Sequence, residues 1–79
     1  PAKVKCRVWT ASYGGTKAIL IKAATPEGIS YTVLDVNDGA EKREAAAYIS
    51  AYARGGQIES TFGSQTQALE KAFDLCPEG

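Results

Sequence analysis

Histidine is absent from these 79 residues, and cysteine occurs only twice. Without histidine, two cysteines cannot supply the four nitrogen and sulfur ligands of a typical structural zinc site. A serine or cysteine nucleophile would also lack the histidine that commonly activates it. We therefore predict a non-enzymatic protein that uses no cofactor and no metal.

Long apolar runs are missing as well. The longest strongly apolar run covers residues 18–21, far short of the roughly 18 residues that a membrane span needs. The sequence opens without the basic and then apolar pattern of a secretory leader. We expect a cytoplasmic protein without a membrane partner.

The two cysteines, Cys6 and Cys76, lie near opposite ends of the sequence. Two cysteines do not make the dense disulfide framework of small secreted domains. We predict two reduced thiols in the core, with a disulfide joining the two ends as the alternative.

Net charge is also lacking, since nine basic residues balance nine acidic ones. Proteins that bind nucleic acid mainly through charge usually carry a strongly basic balance. The charges are unevenly spread, however, because Lys3, Lys5 and Arg7 sit together near the start. A basic surface is therefore expected even though the whole chain is neutral.

The first half of the chain has the pattern of strands. Alternation and β-branched content predict strands over residues 4–10, 16–23 and 29–36, with turns at 12–15 and 25–28. Short turns between three consecutive strands predict an antiparallel meander. On the first strand, Val4, Cys6 and Val8 share the apolar face.

The second half changes to a helical period, with a short strand at residues 57–62 between two helices. Each helix has a single apolar stripe and a spacing typical of a capping box at its start, Asp38 with Glu41 and Ser64 with Gln67. The stripes consist of Ala45, Tyr48, Ile49, Tyr52 and Ala53, and of Ala68, Leu69, Ala72, Phe73 and Cys76. We predict one α+β domain over residues 1–79, in the order β-β-β-α-β-α, with both helices on the Val4/Cys6/Val8 face.

The residues most suited to binding alternate along the first strand. Lys5, Arg7 and Trp9 share the face opposite Cys6, together with Lys3, and the loop that follows contains Tyr13. Trp and Arg dominate the energetics of protein interfaces, and basic and aromatic side chains on a sheet can also bind single-stranded nucleic acid. Three interpretations stay open: a protein partner, a nucleic acid, or a strand face that is merely solvated.

Two other groups have simpler explanations. Gly14 and Gly15 could bring backbone amides close to an anion, but no Walker-type spacing follows, and a hairpin turn accounts for them. Asp35, Asp38, Glu41 and Glu44 could in principle hold metal ions. A helix cap and favourable helix-dipole interactions explain Asp38 and Glu41 better.

Three segments resemble the ribonuclease H-like family. Residues 8–12 (VWTAS) are similar to its first strand, residues 43–49 (REAAAYI) to its first helix, and residues 58–64 to its fourth strand. Where that family carries metal-binding acids, this chain has Ala11 and Phe62, and only Glu44 matches an acid. The resemblance therefore implies a truncated, non-catalytic relative. Residues 63–72 are also similar to the last helix of HicB-type antitoxins, which use part of the same fold.

Together these observations predict a macromolecule-binding protein, a small inhibitor or antitoxin-like module of phage or mobile-element type. Its predicted binding residues are Lys5, Arg7, Trp9 and Tyr13. A small nucleic-acid-binding module that uses the same strand face is the alternative. A homodimer through an edge strand is compatible with either.

Overall fold

The computed structural model describes residues 5–26 and 28–77. The order of elements is the predicted one, β-β-β-α-β-α. Val4, which was predicted to begin the first strand, and Lys3, which was predicted to belong to its basic face, lie outside the described residues. The elements are β1 (Cys6–Ser12), β2 (Lys17–Thr25), β3 (Gly28–Val36), α1 (Glu41–Tyr52), β4 (Gln57–Phe62) and α2 (Gln65–Leu75).

The four strands form one mixed sheet in the order β1-β3-β2-β4. β2 is antiparallel to both β3 and β4, whereas β1 is parallel to β3. The predicted antiparallel meander is therefore wrong for β1, which lies beyond β3 and does not touch β2 in the sheet. Only β2 and β3 form the expected hairpin.

The connection between β1 and β2 explains this arrangement. Residues 13–16 cross the carboxyl end of β3, where the Tyr13 N–H donates to the Asp35 carbonyl at 2.8 Å. A Cβ atom on Gly15 would collide with the backbone carbonyl of Val36. The predicted hairpin turn is thus a crossing over β3, and Gly15 permits the close approach of the two backbones.

The helices pack on opposite faces of the sheet, so the prediction that they share the Val4/Cys6/Val8 face is wrong for α1. Under α2, Ala68 and Ala72 pack with Leu20 and Val33. Cys6 and Val8 are partly buried against the same cluster, as predicted for that face. Under α1, Ala45 packs on the other side of the sheet. The cluster there also contains Ile19, Ile21, Leu34 and Val36.

The central strands require this two-sided cover. Successive side chains of β2, from Ala18 to Ile21, point alternately to the two faces, yet all four are at most 1% exposed. Leaving a buried Ile or Leu in water forfeits about 1.5–3 kcal/mol per side chain. A single layer of helices would therefore leave half of the apolar surface of β2 exposed.

Cys6 and Cys76 form a disulfide in the structure, so the prediction of two reduced thiols is wrong. Cys6 begins β1 on the α2 face, and Cys76 directly follows α2, which brings their Cα atoms within 5.9 Å. That separation lies in the ordinary range for disulfides. The bridge ties the edge strand β1 to the end of α2 across 70 residues of sequence.

The starts of the helices agree only in part with the predicted capping boxes. Ser64 caps α2, because its hydroxyl accepts a hydrogen bond from the Gln67 N–H at 3.3 Å. For α1 the residue at the cap is Ala40, which makes no side-chain cap bond, and Asp38 instead pairs with Lys17. The apolar stripe of α2 is also narrower than predicted, since Phe73 is 46% exposed.

Candidate functional site

The predicted binding stripe lies on the α1 face of β1 and is exposed. Lys5, Arg7 and Trp9 alternate along the strand, and Ala11, the next residue on that face, packs against the α1 cluster. The helix contacts β2 and β3, so it leaves the β1 side of its own face uncovered. Trp9 is 52% exposed as a result.

The described residues of this stripe form one side of a groove. Lys5, Arg7 and Trp9 line it together with residues from the β2–β3 hairpin, namely Thr25, Gly28, Ile29 and Ser30. Among the described residues, no acidic side chain lies within ion-pair distance of Lys5 or Arg7.

A second groove, between β1 and α1, contains the fourth predicted residue. Tyr13 lines it with Tyr48 and Tyr52 from α1 and with Ala11 from β1. The two helix tyrosines lie one turn apart with ring centroids 5.2 Å apart. Tyr13 and Tyr52 are 41% and 76% exposed, so this groove presents aromatic rings to solvent.

Tyr48 and Tyr52 both belong to the predicted apolar stripe of α1. Their spacing in the sequence is that of a core-facing stripe, and no sequence signal separates them from Ala45. Tyr48 is partly buried against the α1 cluster, as that stripe predicts. Tyr52 is exposed, because α1 contacts β2 and β3 and leaves its β1 side open. We use the term aromatic surface for six of the residues that line the two grooves: Lys5, Arg7, Trp9, Tyr13, Tyr48 and Tyr52.

Hydrogen bonds hold Tyr13 in position on the aromatic surface. Its N–H donates to the Asp35 carbonyl, and its own carbonyl accepts from the Asn37 side-chain amide at 3.2 Å. Asn37 is held in turn by Glu44, whose carboxylate accepts from the Asn37 N–H at 2.6 Å and from its amide at 3.0 Å. Glu44 thus positions a loop, which is a structural use for the one acid that matched the ribonuclease H-like pattern.

The other three acids that could in principle hold metal ions, Asp35, Asp38 and Glu41, do not converge on one site with Glu44. Asp38 and Glu41 both lie near Lys17, at 3.1 and 3.6 Å. The hydrogen bond from Lys17 to Asp38 raises the pKa of the lysine, and the backbone N–H groups of Glu41 and Gly39 hold the pKa of the Glu41 carboxyl below its ordinary value. These contacts lie at the start of α1, where the helix dipole favours negative charge.

Asp35 stands apart from these acids at the carboxyl end of β3. Its Oδ1 atom is buried and has no hydrogen-bond partner among the described residues. Burial raises the pKa of its carboxyl. Between residues 5 and 77, leaving out 27, no three histidine, cysteine, aspartate or glutamate side chains are grouped so that they could hold a metal ion.

Neither helix in the described part of the chain has the length and apolar character needed to cross a membrane. Comparison with family models, with curated proteins and with solved structures finds no match to this chain. The resemblance to the ribonuclease H-like family and to HicB-type antitoxins therefore stays a prediction.

Proposed function

We propose that this chain is a non-enzymatic protein-binding module, acting as a small inhibitor or antitoxin-like protein that covers part of a partner's surface. Its binding site is the aromatic surface. The observation that carries the proposal is the half-exposed Trp9, which lies on one face of the sheet with Arg7 and the exposed rings of Tyr13 and Tyr52.

The residue types on this surface suit a protein interface. Trp, Tyr and Arg are enriched among the residues that contribute most binding energy. Tyr and Trp lose little conformational freedom on burial and carry a polar group that can hydrogen-bond at the rim. The backbone of Tyr13 is already held by Asn37, which Glu44 positions, so binding has less cost of ordering the loop to overcome at this residue.

A nucleic-acid partner is the second candidate, favoured by the groove that combines Lys5, Arg7 and Trp9. Base stacking on an aromatic ring beside positive charge is a common way to hold single strands. The zero net charge of the chain counts against it, because useful affinity at physiological salt takes many phosphate contacts. Two basic side chains supply few of these.

The disulfide bears on where the module works. Disulfides persist in oxidising compartments and are rare in the cytosol of most organisms. The Cys6–Cys76 bridge therefore favours an extracytoplasmic setting over the cytoplasmic location expected from the sequence. Protein alkylated at the moment of extraction from its native source should have the intact mass of the disulfide form, with neither thiol modified.

The test of the function is affinity capture from the native host with three forms of the oxidised chain. The wild type is compared with the double variant Arg7→Ala/Trp9→Ala and with Phe73→Ala as a matched control. Phe73 is exposed to a similar degree as Trp9 but belongs to α2, away from the aromatic surface. All three forms are first shown to melt cooperatively.

We expect a protein captured by the wild type and by Phe73→Ala to be lost with the double variant. Equal capture by all three forms would place the interface elsewhere. If the retained material disappears on nuclease treatment, and purified chain binds single-stranded DNA in a salt-dependent manner, the nucleic-acid candidate replaces the proposal.

A further inference from the structure

β1 is an edge strand, and the backbone contacts show which of its groups are unused within the sheet. The Lys5 carbonyl accepts from the Ile29 N–H at 2.8 Å, and the Tyr13 N–H donates to the Asp35 carbonyl. Both contacts point toward β3. Lys5 and Tyr13 are both odd-numbered, and the backbone groups of successive strand residues point to alternate sides of a strand. The N–H and C=O groups of the even-numbered residues therefore point away from β3. These residues are Cys6, Val8, Thr10 and Ser12.

The two edges of the sheet differ in how well they are protected. β4, at the other edge, has a register shift opposite Leu20 and Ile21 that leaves Glu59 without a partner on β2. Such a bulge and an acidic residue both discourage pairing with a further strand. β1 is paired with β3 in one continuous register over Cys6–Ser12, and it contains neither a bulge nor a proline. Its outer edge is therefore regular enough to accept a further strand.

The charges beside this edge select the kind of strand. Lys5 and Arg7 project from β1 on the α1 face, next to Trp9. A second copy of β1 would bring the same positive charges together, which is unfavourable across a strand pair. An acidic strand would instead place carboxylates opposite Lys5 and Arg7, where Arg can bind a carboxylate through two hydrogen bonds. Alternate side chains of that strand would lie on the face that carries Trp9.

We propose that the outer edge of β1 binds an extended acidic segment of another protein, which adds to the sheet as a fifth strand. This inference rests on the proposed function and specifies its partner and mode of binding. The segment's backbone pairs with the outward groups of Val8 and Thr10. Its carboxylates lie at Lys5 and Arg7, and an apolar side chain lies against Trp9.

A random-peptide display library selected on the immobilised, oxidised full chain supplies the probe. Enriched peptides are synthesised and titrated against the wild type and two variants at one position, Thr10→Pro and Thr10→Val. Thr10 is exposed and its N–H points outward, so proline removes the N–H offered to a partner without removing a hydrogen bond to β3, at a place where edge strands tolerate it. Valine keeps that N–H and is the matched control.

We expect acidic peptides to be enriched. Thr10→Pro should weaken their binding about tenfold or more, the size of effect that loss of a well-made hydrogen bond has on a dissociation constant. Thr10→Val should bind within about twofold of the wild type.

Hydrogen exchange on the wild-type chain gives a second test that needs no variant. The Val8 and Thr10 amides should become protected when peptide is bound, while the Trp9 amide, which already faces β3, changes little.

The outcomes separate this inference from the proposed function. Suppose that binding depends on Arg7 and Trp9, but that Thr10→Pro does not weaken it and bound peptide does not protect the Val8 and Thr10 amides. Strand addition is then wrong, and the aromatic surface stands. If binding ignores the Arg7→Ala/Trp9→Ala substitution, the proposed surface itself fails. Enrichment of neutral or basic peptides, or no enrichment at all, also overturns the inference. The same holds if the chain is found to dimerise through β1.

Discussion

Helices of nearly equal length cover the two faces of this sheet, yet the two faces differ in how completely they are covered. On the α2 face, small residues let the helix lie close to the sheet, and the Cys6–Cys76 disulfide closes its far end at β1. On the α1 face, Ala45 is the only helix residue that is fully buried among those described, and the β1 side remains open with Trp9, Tyr13 and Tyr52 exposed. One face is thus closed by a helix and a disulfide, whereas the other stays open on its β1 side.

Removing the disulfide should have the largest effect on this contrast. The double substitution Cys6→Ser/Cys76→Ser frees a loop that spans 70 residues, and the chain-entropy model gives a loss of about 4 kcal/mol in the free energy of unfolding. Urea titrations with and without a reductant measure it. The wild type should lose stability on reduction and the double variant should not respond. Equal stability of oxidised wild type and double variant would show that the bridge does not hold the closed face.

The next test asks whether both faces are true core. Leu20 and Ile19 are adjacent on β2 and almost fully buried on opposite faces, under α2 and α1 respectively. Each substitution to alanine should cost about 2–5 kcal/mol, because each removes buried atoms and leaves a cavity. Chemical denaturation of the two single variants gives the comparison. A cost under about 1 kcal/mol for Ile19→Ala would mean that α1 does not seal its side.

A smaller effect is expected at the crossing that carries Tyr13 to the open face. Gly15→Ala forces the loop away from the Val36 carbonyl, and relieving such an overlap typically costs about 1–3 kcal/mol. Gly63→Ala is the control, since a Cβ there meets only ordinary contact distances and should change stability by under about 0.5 kcal/mol. Thermal melts compare the two. Similar melting temperatures for both variants would contradict the close crossing over β3.

The smallest effect concerns Asp35, whose carboxyl has a raised pKa because it is partly buried. In the folded state it binds a proton more tightly than in the unfolded state, so its contribution to stability falls as pH rises from about 4 through the folded-state pKa. Asp35→Asn should therefore raise the melting temperature at neutral pH and leave it nearly unchanged at pH 3. Melts at both pH values decide this. A variant that is less stable than the wild type at pH 7 would indicate that the charged carboxylate has a favourable partner.

Particular residues show how far the sequence could be interpreted. The pattern of QIESTF predicts β4 with the bounds that the structure has, Gln57–Phe62, and the spacing of Ser64 and Gln67 predicts the cap of α2. The same logic is wrong for Asp38, because Lys17, distant in sequence, binds its carboxylate.

Of the aromatic surface, Lys5, Arg7, Trp9 and Tyr13 were predicted from alternation and from the loop. Tyr48 and Tyr52 were not predicted as part of it. The exposure of Tyr52 depends on where α1 lies on the sheet, whereas Tyr48 is partly buried, as its stripe predicts.

Local patterns in the sequence are enough to predict the elements and their order, because these patterns depend on the spacing of residues close together along the chain. The sequence also contained a sign of two-sided cover, since the centre of β2 is apolar at four consecutive positions, 18–21. Three features emerge only in the folded chain: β1 lies beyond β3, the helices take opposite faces, and Cys6 meets Cys76. Each of these is a contact between segments far apart in sequence. Such contacts depend on how two apolar faces are buried together, which no local pattern encodes.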